Sequence, residues 1–220
     1  MGNKVLVLGD SGSGKSTSTR NLDPKSTFYI NVIGKPLPFK GWKAKYVDGK
    51  NMISTHNADD IVKCIKGVSS TRPEVKTIII DDAQYIMSYE YMDRAMEKGF
   101  AKFTEIAKHM FDVLAAPDKV RDDLTTIFLA HSEDVSSNGY TKTQMKTIGK
   151  MLNATITIEG LFTIVLLAYP VKEEKKMRYV FVTQSNGTTT AKSPMDMFDD
   201  IAIDNDLQMV LNKMKEYEEG

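Results

Sequence analysis

Lys4–Leu8, KVLVL, runs directly into Gly9–Ser16, GDSGSGKS, and this junction limits what the chain can fold into more than any other segment. A short, nearly continuous apolar run is what a parallel strand buried on both faces requires. Gly9, Gly14, Lys15 and Ser16 then match G-x-x-x-x-G-K-[ST], a pattern expected by chance in a chain of this length on the order of one per cent of the time. Glycines let the backbone turn its N–H groups onto an anion. A helix continuing through Ser16-Thr17-Ser18-Thr19-Arg20 would add about half a positive charge beside it. The residues predict a phosphate-binding loop (P-loop), with Gly9, Asp10, Ser11, Gly12, Ser13, Gly14, Lys15, Ser16 and Thr17 around the phosphates of ATP. Lys15 would neutralise the β- and γ-phosphates, and the Ser16 hydroxyl would be one ligand of an octahedral Mg²⁺.

A metal site of this kind needs a carboxylate at the end of another buried strand. Val75 to Asp81 supplies it, because three consecutive isoleucines lead into Asp81, the expected metal partner. Asp82 follows at once, either as the carboxylate that orients and deprotonates the attacking water or as a polar residue opening the next loop. Thr125 to Ala130 is another apolar strand and ends at His131, which either senses the γ-phosphate or is a satisfied loop histidine.

Further elements follow from periodicity. A strand is expected at Thr27 to Val32 and a surface loop or small hairpin over the Gly/Pro-punctuated GKPLPFKGWKAKYVDGKN. Asn57 reads as a helix N-cap ahead of Ile61, Val62, Ile65 and Val68, with Cys64 a structural thiol on the same face. Phe100, Phe103, Ala107, Met110, Phe111 and Leu114 recur at helical spacing. Strands at Phe162 to Tyr169 and Tyr179 to Gln184 flank the charged tip KEEKKMR, and a last amphipathic helix is capped near Asn205. The expectation is a single α/β domain over residues 1–220: a mainly parallel central sheet flanked by helices, with a C-terminal β-hairpin and helix.

Lys plus Arg and Asp plus Glu number 29 each, so net charge offers no case for nucleic acid and any such contact must be local. No apolar run approaches the roughly 18 residues of a membrane span, and the opening MGNKVLVLGD lacks the basic and apolar regions of a signal peptide. A cytoplasmic protein without membrane contact is expected.

GDSGSGKSTSTRNL, TIIIDDAQYIM, TIFLAHSED and AKSPMDMFDDIAIDNDL together resemble phage-encoded RecA-like ATP-binding proteins, minimal ATPases of single-strand annealing and recombination. The resemblance implies a RecA-like P-loop NTPase sheet with the Thr125 to Ala130 strand lying between the P-loop strand and the Asp81 strand. It also implies homo-oligomers that share ATP between neighbours, single-stranded DNA as a partner, and an association with phage replication or recombination proteins. One departure stands out: such proteins carry a catalytic Glu just after the second strand, whereas no acid occurs here between Asp23 and Asp48. Asp82 is therefore the preferred base, with Lys15 and His131 completing the catalytic set.

No acid occurs between Asp134 and Glu159, where Lys142, Lys146 and Lys150 recur every four positions. A helix or ordered loop would project them together, as a DNA-backbone contact or as a solvated segment. Lys172, Lys175, Lys176 and Arg178 form a second basic cluster, at a hairpin tip that either reaches a neighbour's phosphates or is solvated. Guanine-reading NKxD and DxxG are missing, and five dispersed arginines make no kinase lid. Two alternatives to a DNA-acting ATPase stay open: an ATP-gated interaction module with little hydrolysis, and a small-molecule P-loop kinase.

Overall fold

The computed structural model describes residues 2–137, 140–149 and 151–220. The chain opens with β1 (Asn3–Gly9), a single 3-10 turn at Ser16–Thr19, β2 (Thr27–Asn31), the one-turn helix α1 (Trp42–Lys45) and the short β3 (Met52–Ile53). Its middle consists of α2 (Ala58–Thr71), β4 (Thr77–Asp81), α3 (Tyr85–Asp93) and α4 (Ala101–Ala115). Then come β5 (Thr125–Ser137), β6 (Tyr140–Met145), α5 (Met151–Thr155), β7 (Ile164–Lys172), β8 (Met177–Val182), β9 (Ala202–Asp204) and α6 (Leu207–Glu219).

Among the described residues these strands form one sheet in the order β3-β2-β4-β5-β1-β7-β8-β9, with β6 paired to β5 outside that path. From β3 through β7 every pairing is parallel, whereas β8, β9 and β6 join antiparallel. The apolar runs of the sequence explain the central strands. Alternate residues of a strand face opposite sides, so Leu6, Leu8, Ile78, Ile80 and Phe128 enter one core, and Val5, Val7, Ile79, Ile127 and Leu129 the other. The first core is closed by Ile61, Ile65 and Val68 of α2 and by Ile106, Met110, Val113 and Leu114 of α4. Leu207, Val210 and Met214 of α6, with Leu22, Leu37 and Tyr46, close the second. β5, which begins with the expected Thr125 to Ala130 strand, does lie between β1 and β4. Its register sets Gly9 beside His131 and Asp81 beside Leu129, and the β2–β4 register sets Asn31 beside Asp81, which gathers the predicted site at the carboxyl ends of the strands.

Several expectations are corrected by the structure. The helix expected after Lys15 is only the 3-10 turn, because Ser18 Oγ donates to Lys15 O and Thr19 Oγ1 donates to Ser16 O at 2.8 Å, satisfying carbonyls that a longer helix would use. Phe100 precedes α4 and is 86% exposed, whereas Ala107, Met110 and Leu114 of the expected face do enter the core, joined there by Ile106 and Val113. The part of the acid-free segment that carries Lys142 is an antiparallel strand rather than a helix, since β5 runs on past His131 and pairs with β6, whose TKTQM suits a pleated strand; further on, Met151–Thr155 is α-helical. Lys150 lies outside the described residues. The N-cap of α6 is Asp206, which accepts from Gln208 N, one residue beyond the expected Asn205. The Gly/Pro stretch after β2 holds the one-turn α1 and leads to β3.

Candidate functional site

β1 delivers its chain to the loop through Gly9, where a Cβ would stand 2.5 Å from Ser13 Oγ and 2.7 Å from Ala168 O. Gly14 has φ 93°, and a Cβ there would reach 3.0 Å from the Tyr179 ring; both positions need glycine for the loop to close. Lys15 is buried, and its Nζ donates to Gly9 O at 2.7 Å and Asp10 O at 2.9 Å. Burial pushes its ammonium down to about 8 despite the nearby charges of Asp82 and Asp81. An anionic ligand placed against it would offset that burial and favour its charged form.

Ser16 Oγ donates to Asp81 Oδ1 at 2.8 Å, across a sequence separation of 65. Tyr29 on β2 donates its hydroxyl to Asp81 Oδ2, also at 2.8 Å. Asp81 is fully buried, and burial, then the neighbouring Asp82, raises its carboxyl above the usual range. A hydroxyl and a carboxylate side by side are hard oxygen donors of the kind Mg²⁺ takes, and the pair is too small for an all-protein cage. Among the described residues no cluster of three or more His, Cys, Asp or Glu could hold a metal ion. The donor set fits a Mg²⁺ completed by water and phosphate oxygens.

Asp82 occupies the left-handed region, φ 63°, which asparagine and aspartate tolerate better than other side chains. This backbone turns the carboxylate away from Asp81. Its Oδ2 pairs with Lys35 Nζ, and its Oδ1 lies 3.5 Å from His131 Nε2. Burial works to raise its carboxyl, but His131 and Lys35 outweigh that and hold it below the usual range. His131 itself is fixed by its backbone, because its N–H donates to Gln84 Oε1 at 3.0 Å. Ser11 to Thr17, Lys35, Asp82, His131 and Tyr179 border one cleft of about 380 Å³, the size range of small-ligand sites. A larger hollow, about 510 Å³, lies at the opposite, amino ends of the strands against Asn3, Thr27, Thr77 and Thr125. It holds none of these groups, and ligands of open parallel sheets bind at the carboxyl ends.

A family model for the AAA domain matches residues 1–195. The chain belongs to the AAA domain family. The fold agrees: the crystal structure of a KaiC-like protein from the hyperthermophilic archaeon Pyrococcus horikoshii OT3 superposes with a TM-score of 0.51 at 13% identity, covering 82% of this chain and 77% of that one. At that identity the likeness is one of fold, a RecA-like P-loop sheet. No curated protein matches the chain.

Within this AAA domain the residues expected at the phosphates, Gly9 to Thr17, Asp81, Asp82 and His131, converge at one place. Sequence reasoning missed Lys35 and Tyr29. Lys35 follows the second strand in the region where an acid was noted as absent, and nothing in a Gly/Pro-flanked lysine marks it as the partner of Asp82, 47 residues on. Tyr29 reads as one more core aromatic until its hydroxyl is seen on Asp81.

The lysines of the acid-free segment divide. Lys142 is exposed on β6, opposite Val135. Lys146 donates its backbone N–H to His131 O at 2.9 Å and borders a small hollow with His131 and Gln84. The two share one side of an extended chain, roughly 13 Å apart at strand spacing. In the second basic cluster Arg178 pairs with Asp204 at 2.6 Å and Lys176 with Glu173 at 3.6 Å, which favours the reading of local surface charge. Among the described residues no helix is long and apolar enough to cross a membrane.

Proposed function

We propose that the AAA domain, acting as one unit over residues 1–220, binds Mg·ATP in the 380 Å³ cleft and hydrolyses it. The observation that carries this reading is the contact of Ser16 with Asp81 beside Lys15, with Asp82 and His131 at the same strand ends. Gly9 to Thr17 would wrap the phosphates with backbone N–H groups while Lys15 neutralises the β- and γ-oxygens. Ser16 and Asp81 would hold Mg²⁺, which when bound offsets phosphate charge as it builds in the transition state. Asp82, a carboxylate at the cleft, would orient the attacking water and accept its proton. His131, touching Asp82 through its ring and Lys146 through its backbone, would relate the state of the cleft to the β5–β6 hairpin.

The same proposal assigns the domain to single-stranded DNA, as a homo-oligomer working with phage replication or recombination proteins in the host cytoplasm. Its support is the resemblance of the four sequence segments together with exposed Lys142 on the β5–β6 hairpin and exposed Lys146 just after it, whose backbone N–H donates to His131 O. One observation favours a second reading, the ATP-gated interaction module: the Lys35 ion pair occupies the carboxylate that hydrolysis needs. A kinase is disfavoured because all five arginines are engaged within the chain. They contact Asn205 O, Glu74, the Glu90/Glu97/Glu105 group, backbone carbonyls from Val68 to Val75, and Asp204. Phosphate release measured with and without single-stranded DNA separates these readings. Turnover stimulated by DNA is expected; ATP binding without turnover in either condition would leave the gated module.

A further inference from the structure

The basic group that meets the terminal phosphate need not come from another subunit. We propose that Lys35 is a γ-phosphate-recognising cation, which exchanges its Asp82 partner for the terminal phosphate of ATP and so distinguishes ATP from ADP. The inference rests on the nucleotide-site reading above.

Three observations carry it. Lys35 is built in rather than loose: Asn31 Nδ2 at the end of β2 donates to Lys35 O at 2.6 Å, Gly34 N donates to Asn31 O at 3.3 Å, and Pro36 restricts the backbone of Lys35 before it. Its ammonium reaches the cleft that also holds Lys15 and Ser16, yet its side chain keeps 39% of its exposure. It can therefore move, whereas Lys15 is buried on the loop carbonyls. Finally, among the described residues bordering this cleft there is no arginine, so Lys35 is its one cation besides the buried Lys15 and the histidine His131.

Charge decides the direction of the exchange. Lys15 and Lys35 balance Asp81 and Asp82 before nucleotide arrives, so an incoming triphosphate adds negative charge beside an ammonium already held by a carboxylate. The γ-phosphate offers more charge and more acceptor oxygens than Asp82 Oδ2 does. Once Lys35 turns to it, Asp82 keeps His131 and gains a free oxygen for water. A diphosphate leaves the ammonium on Asp82. A purely structural Lys35, there only to neutralise a buried and left-handed aspartate, would be indifferent to the third phosphate.

The test is calorimetric titration of wild type, Lys35→Ala, Lys35→Gln and Lys35→Arg with Mg²⁺ plus ADP and Mg²⁺ plus a slowly hydrolysed ATP analogue, beside thermal melts. Ala and Gln should weaken the ATP analogue about tenfold and ADP less than about twofold, and Arg should retain the preference. Equal weakening of both nucleotides, or of neither, overturns the inference while leaving the phosphate site intact. Wild type that binds neither nucleotide, or a Lys15→Ala variant that binds both normally, overturns the nucleotide-site reading and this inference with it. If Lys35→Ala melts out, Lys35→Gln and Lys35→Arg still compare a removed with a retained charge on polar side chains that can each hydrogen-bond Asp82.

Discussion

Two adjacent carboxylates at the end of β4 face opposite situations, and the backbone causes the difference. Asp81 closes an extended strand and points to Ser16 and Tyr29, whereas Asp82 turns into the left-handed region and points to Lys35 and His131. Replacing Asp82 by Asn keeps the left-handed backbone and the side-chain shape but removes the basic oxygen. Asp82→Asn should therefore bind Mg·ATP and hydrolyse it on the order of 10²-fold or more slowly. Asp81→Asn should instead raise the Mg²⁺ concentration needed for nucleotide binding, which a metal titration at fixed ATP measures. Hydrolysis by Asp82→Asn at the wild-type rate would move the base elsewhere. Cys64 gives a separate residue-scale test. Burial pushes its thiol up to about 11, with Arg72 only partly opposing. A raised thiol pKa means less thiolate at a given pH, so at pH 8 the native protein should alkylate with iodoacetamide roughly a hundredfold more slowly than the unfolded chain. Equal rates would show an open, reactive thiol.

Helix α2 begins where its sequence says it should: Asp60 N donates to Asn57 Oδ1 at 3.1 Å, and Asp59 and Asp60 occupy the positive first turn. Asn57→Ala removes that acceptor and should cost about 1 kcal/mol, read as a thermal midpoint roughly 2–4 °C lower; an unchanged midpoint would mean water replaces the cap without loss. Elements were legible wherever one local signal dominated, as in KVLVL, TIIID, the Asn57 cap and the α6 stripe. Local pattern misleads where side chains compete with the backbone. In Ser16–Thr19 hydroxyls take the carbonyls of the next turn, and the four-residue lysine spacing mimics a helix while TKTQM pairs as a strand. The site shows the same divide. Lys15, Ser16 and Asp81 are fixed by a contiguous loop and a strand end, so spacing reveals them. Lys35 and Tyr29 matter only because parallel register brings β2 beside β4, a tertiary fact that no local pattern carries.

In the whole molecule one strand, β5, joins the cleft to the exposed lysines carried by its partner β6 and the residue after it. β5 leaves the sheet at His131, which neighbours Asp82, and its hairpin carries Lys142 and leads to Lys146. If the hairpin and the segment after it bind a single strand, ATP should promote assembly on DNA through this connection, and the contacts should be to the backbone because the lysines lack a base-reading fork. Each phosphate neutralised on a single strand contributes about −0.7 to the slope of log affinity against log salt, so replacing Lys142, Lys146 and Lys150 by Ala should flatten the slope by roughly 2 per subunit. Affinity should fall alike for all sequences, since phosphate contacts carry no base information. Salt titrations of wild type and the triple variant with a slowly hydrolysed ATP analogue measure both effects. An unchanged slope excludes this segment as the DNA contact, and absence of DNA binding in wild type turns the hairpin into a protein-facing arm of the gated module.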